Sequence, residues 1–100
     1  MVLSEAEQAY LGSERIGRLA TVGPSGSPHV MPVRYTLTEE GALEFDADGI
    51  KLRNLTREPR VALVVDSMGP RRGVAIQGTA LVIGPERARL DPQRAYSWGL

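Results

Sequence analysis

The chain has 100 residues, with 12 basic and 12 acidic side chains and 42% hydrophobic residues. That length predicts one domain over residues 1–100, with a modest core that a partner subunit would enlarge. Zero net charge argues against nucleic acid or an acidic membrane as the main partner, and the absence of cysteine excludes disulfides and thiolate chemistry.

A single histidine leaves any metal site to carboxylates, and no ligand spacing supports one, so no metal is expected. The N-terminus lacks a basic start followed by an apolar segment, and no apolar run reaches membrane-spanning length. The default expectation is a soluble cytoplasmic protein that does not meet a membrane.

Ser4-Glu5-Ala6-Glu7 has the form of a capping box, which predicts a helix start. Leu3, Ala6, Ala9 and Tyr10 then fall on one helical face, and the helix should end near Gly12 or Arg15. Ile16 to Val22 is mostly apolar or small on both faces, the pattern of a strand buried on both sides. Residues 23–28 are nearly all turn formers, and His29 to Leu37 returns as the second strand of a hairpin. Pro32 inside that strand cannot donate to a ladder, which implies an edge, a bulge or backbone facing a ligand. His29 has no evident acid partner and reads as lightly packed. Thr38 to Gly41 is a second turn, and Ala42 to Ala47 a third strand.

The central stretch is Lys51 to Asp66, KLRNLTREPRVALVVD. A basic helical pattern stops before Glu58-Pro59, because proline disfavours helix in the residue before it. Arg60 to Val65 follows as a valine-rich strand. Lys51, the only lysine in the chain, stands at the helix start. A helix start offers free N–H groups and a positive dipole end, so the stretch fits an anion site. It equally fits a solvated basic face.

Asp66 to Arg72 reads as a loop and Gly73 to Ile83 as a long fifth strand. Val74, Ile76, Gly78, Ala80 and Val82 would share one face, with Gly78 marking a bend or the close approach of another backbone. Glu86 to Leu90 reads as a helical turn, and Arg94 to Trp98 as a short last strand; Trp98 would cap the barrel, fill a dimer interface or stack on a planar ligand, with packing favoured by its large area. The expected fold is mainly β, a six-stranded antiparallel barrel with one or two short helices. There is no nucleophile elbow, P-loop, dinucleotide fingerprint or catalytic triad, so no catalytic residue is assigned. An enzyme of this composition would rely on a bound cofactor for its chemistry.

Four pieces carry a resemblance: IGRLATVGPSGSPHVMPVRY (Ile16 to Tyr35), KLRNLTREPRVALVVD (Lys51 to Asp66), RGVAIQGTA (Arg72 to Ala80) and SWGL (Ser97 to Leu100). Together they resemble the pyridoxamine-phosphate-oxidase-like, flavin-binding split-barrel superfamily, and most of all its small actinobacterial oxidoreductases dependent on the deazaflavin coenzyme F420. The resemblance implies a split-barrel homodimer with a cofactor in each of two grooves at the subunit interface. It implies that Lys51 contacts the cofactor phosphate, that Arg53 and Asn54 lie at the same clamp, and that Arg57 is a further candidate. It places the backbone of Met31 and Pro32 beside the tricyclic ring. The implied chemistry is hydride transfer from reduced F420 to an activated double bond of a small-molecule substrate; the sequence identifies no proton donor, for which water, Tyr35 and His29 are only candidates. An FMN-dependent oxidoreductase of the same fold, or a non-catalytic flavin or deazaflavin carrier, are the alternatives. Asp46 and Gly49 stand near positions where relatives often offer hydroxyl or basic groups to the phosphate. An acid there weakens an anion site unless it points away.

Overall fold

In the computed structural model, which describes residues 1–100, the capping box forms as the sequence predicts. The Glu7 N–H donates to Ser4 Oγ at 3.1 Å, and the Ser4 N–H donates to Glu7 Oε1 at 2.9 Å. This starts α1 (Glu5–Ser13). The buried face differs from the expected one: it holds Leu3, Glu7, Tyr10 and Leu11, while Ala6 and Ala9 are exposed. The capping bonds satisfy the Glu7 carboxylate, which lets a charged residue sit at the inward position.

Six strands follow: β1 (Ile16–Val22), β2 (Pro28–Leu37), β3 (Leu43–Asp46), β4 (Arg60–Ser67), β5 (Arg72–Gly84) and β6 (Arg87–Trp98). A second helix, α2 (Gly49–Arg57), lies between β3 and β4. The strands close into an antiparallel barrel in the order β1-β2-β3-β6-β5-β4, the mainly β architecture that the sequence predicts. Neither helix is long and apolar enough to cross a membrane.

Residues 86–90 are not a helical turn. Glu86 takes φ +56° in a tight turn, and Arg87 already begins β6, so the last strand runs from Arg87 and not from Arg94. Ala88 and Leu90 face inward while Arg87 and Arg89 stay partly open, a period of two rather than the helical 3.6. β1 is not buried on both sides either. Gly17, Leu19 and Thr21 point into the barrel, but Ile16 on the other face is 56% exposed.

Phe45, Leu43, Leu19, Leu63, Ile76 and Leu90 fill the barrel with almost no exposure. Each such side chain contributes about 1.5–3 kcal/mol by leaving water. α2 lies against β1 and β5 and adds Leu55 to this core, while α1 lies against β2 and β5 and adds Leu11. Val82 shares the parity of the inward β5 residues, yet it is exposed, because β5 there runs past the barrel into its turn with β6.

Gly78 does mark a close approach. The β5–β6 register shifts between Gln77 and Gly78, and a Cβ on Gly78 would stand 2.2 Å from the Asp91 carbonyl oxygen. Gln93 is the residue left without a ladder partner.

The register also composes the outer surface. One cross-strand row reads Val30, Ala20, Ala62, Gln77, Arg94, and the next reads Pro32, Arg18, Val64, Ala75, Tyr96. Three alanines in the middle leave a trough of about 580 Å³.

Candidate functional site

The barrel wall has a gap in its pairing beside β2. Pro28 to Arg34 of β2 pair with β1 alone, and β3 joins β2 only at residues 35–37. If the Tyr35–Phe45 register continued, Pro32 would meet Asp48 and Met31 would meet Gly49. The chain instead leaves the ladder there and enters α2. Pro32 therefore sits on a half-paired strand, where its missing N–H is tolerated. Met31, on the same side of β2 as the inward residues, is nonetheless 43% exposed at this gap.

α2 begins with Asp48 as its N-cap residue, but the Asp48 side chain makes no bond to the helix N–H groups. It accepts instead from Lys51 Nζ at 3.0 Å. The Lys51 side chain is only 16% exposed. The Ala47 N–H donates to the Glu86 carbonyl at 2.9 Å, which draws the β5–β6 turn alongside. The result is a polar recess of about 310 Å³ lined by Asp46, Asp48, Lys51, Pro85 and Glu86. Asp46 is bonded on its other side by Arg87 Nη1 at 3.0 Å. The recess offers a phosphate one lysine and an uncapped helix start, among three carboxylates.

The other residues of the basic motif divide. Arg53 is exposed and makes no ion pair. Asn54 is turned inward, 3% exposed, with Nδ2 donating to Thr21 Oγ1 at 3.1 Å. Arg57 donates to the Val22 carbonyl and reaches Asn54 Oδ1 at 3.5 Å. Asn54 and Arg57 thus tie α2 to the end of β1, which leaves Lys51 paired with Asp48 and Arg53 without an ion pair. Asn54→Ala should strip a buried hydroxyl of its partner and cost about 1–3 kcal/mol of stability, read in a denaturant melt. An unchanged melt would show that the bond adds nothing to the fold.

Tyr35 is not available as a proton donor. Its Oη donates to the Leu11 carbonyl at 2.7 Å, and burial, helped by Glu14 and Tyr10, pushes its pKa above the tyrosine range. His29 stands opposite Thr21 in the register, with a shielded Nδ1 that has no partner.

Two concavities larger than the Lys51 recess lie elsewhere. They are the alanine trough and an adjoining groove of about 610 Å³ that includes Thr21, Arg60 and Gln93. Both share Ala20, Ala62, Gln77 and Arg94. These residues escape a sequence reading because no motif joins them; only cross-strand register does. Of the carboxylates around Lys51 the sequence singles out Asp46 alone; Asp48 joins it by standing three residues before Lys51 at the helix start.

Residues 3–98 match the sequence profile of the family described as Pyridoxamine 5'-phosphate oxidase. The chain is 36% identical over 121 aligned positions to 5a,11a-dehydrotetracycline/5a,11a-dehydrooxytetracycline reductase of Streptomyces rimosus subsp. rimosus, covering 100% of this chain and 85% of that protein. Among solved structures it is similar to a conserved hypothetical protein of Mycobacterium tuberculosis, with TM-score 0.79, 29% identity, and 98% and 86% of the two chains covered. It is also similar to a structure described as an F420 reductase, with TM-score 0.76, 22% identity, and 94% and 98% covered. At that identity the likeness speaks for the fold alone.

Proposed function

We propose a function from one premise: the chain belongs to the pyridoxamine 5'-phosphate oxidase family. It is an oxidoreductase that takes a hydride from reduced coenzyme F420 and delivers it to a carbon–carbon double bond of a small molecule. The observation that carries this is the identity, along the whole chain, with a reductase of dehydro compounds. The missing nucleophile and triad fit the same chemistry, because hydride transfer asks the protein only to orient and enclose.

When bound, the cofactor supplies the hydride. Lys51 would meet its phosphate, aided by the first N–H groups of α2, with Arg53 on the same helix outside the recess. Asn54 and Arg57 hold α2 against β1 and so fix where Lys51 stands. The backbone of Met31 and Pro32, at the gap in the wall, would lie along the ring. The second carbon of the double bond takes a proton, which we assign to water because Tyr35 is committed to Leu11 and His29 Nδ1 is shielded from the surface. A second copy of the chain would cover the alanine trough, completing the enclosure and excluding bulk water from the ring.

Titration of the purified protein with F420 and with FMN, followed by fluorescence, tests the cofactor. Preferential binding of F420 is expected, and reduced F420 should then be consumed in the presence of an unsaturated acceptor. Preference for FMN would move the chain to the flavoenzymes of this fold. Tight binding with no turnover on any acceptor would make it a carrier.

A further inference from the structure

If a cofactor phosphate meets Lys51, as proposed, the charge pattern of the recess bears on which anion it accepts, and that selectivity rests on the same reading of the site. Asp48 Oδ1 already holds Lys51 Nζ at 3.0 Å, so an incoming phosphate must share the lysine with a carboxylate. Asp46 and Glu86 line the same recess, and no second cation does. Arg87, the nearest candidate, is divided between Asp46 at 3.0 Å and Glu44 at 3.7 Å. One positive and three negative side chains therefore surround the ligand position. Attraction to Lys51 and repulsion from the carboxylates both scale with the ligand's charge. With acids in the majority, a second negative charge on the ligand adds more repulsion than attraction. A hydrogen bond from Lys51 or from an α2 N–H, by contrast, needs only one phosphate oxygen.

We propose that this acid-flanked lysine selects a singly charged phosphodiester over a doubly charged phosphomonoester, with Asp48 as the specificity-determining residue. FMN ends in a phosphomonoester; F420 carries its phosphate as a diester. The recess thus discriminates between the two cofactors by the charge of the tail, independently of the ring.

The test keeps the ring constant. The full chain is titrated with the phosphate-free deazaflavin alcohol, its 5'-phosphate and its 5'-methyl phosphate diester, at about pH 8, where a monoester is doubly charged. The diester should bind about fivefold or more tighter than the monoester. Asp48→Asn, which removes the charge at an exposed position and keeps the size, should shrink that preference to about twofold or less by improving the monoester. Lys51→Ala should bring both phosphates to the alcohol or below it, because the carboxylates then act unopposed. If the wild-type chain binds the monoester as tightly as the diester while Lys51→Ala still weakens both, selectivity is overturned and the clamp stands. If Lys51→Ala changes neither, or if none of the three binds, the clamp falls and the selectivity with it.

Discussion

Lys51→Ala should weaken binding of a phosphate-bearing cofactor by at least about tenfold. A hydrogen bond to a charged group contributes about 1.5–3 kcal/mol, and 1.4 kcal/mol is tenfold in affinity. Two effects modify that range. Lys51 is already paired with Asp48, so part of its attraction is engaged before a ligand arrives. Yet truncation also leaves Asp46, Asp48 and Glu86 unopposed around the ligand, and this repulsion acts in the same direction as the lost bond. Stability should hardly move, because partly exposed ion pairs contribute about 0–1 kcal/mol and Asp48 caps no helix N–H. Fluorescence titration beside a thermal melt separates the two readouts. An unchanged dissociation constant would remove Lys51 from the site.

Gly78→Ala should have the largest effect on the fold, a loss of about 3 kcal/mol. Overpacking a well-filled site costs about 1–3 kcal/mol, and the upper end applies where the neighbour cannot give way. Here the new Cβ would meet the Asp91 carbonyl oxygen at 2.2 Å, the carbonyl carbon at 3.0 Å and the Pro92 Cα at 3.2 Å, all backbone. The only relief is to part β5 from β6. For a domain of this size the melting temperature should fall by roughly 12–24 °C, since each kcal/mol is worth about 4–8 °C. A melt within a few degrees of wild type would mean that the bulge slides to accept the methyl. The trough would report the change too, because Gln77 and Arg94 flank the bulge.

Much of the fold was legible because its signals were local. The capping box, the stop before Pro59, the turn residues at 23–28 and the glycine at 78 each act through neighbouring backbone. The misreadings came where tertiary context decides. Ala6 and Ala9 fit an apolar helix face as well as Leu11 does, and only the barrel beneath selects Leu3, Glu7, Tyr10 and Leu11. Residues 86–90 carry two arginines, an alanine and a leucine, which suit a helix; pairing with β3 and β5 makes them strand. At the site, the basic motif shows which residues are charged or polar but not which way they turn. Asn54 and Arg57 are committed to Thr21 and Val22, a fact of helix orientation that no spacing announces.

The strand order also describes how the molecule must assemble. β1-β2-β3 and β4-β5-β6 are two runs of sequential hairpins joined by α2, and they meet along two seams, β1 with β4 and β3 with β6. Each run can form from neighbouring residues, whereas both seams join segments far apart in the chain and carry the entropic cost of closing a long loop. The slow event in folding is then the docking of one three-stranded half on the other. Until it happens, each half shows two bare sheet edges and one uncovered apolar face. α2 is the tether that keeps the halves within reach, so the segment proposed to grip the cofactor also sets the local concentration at which the barrel closes.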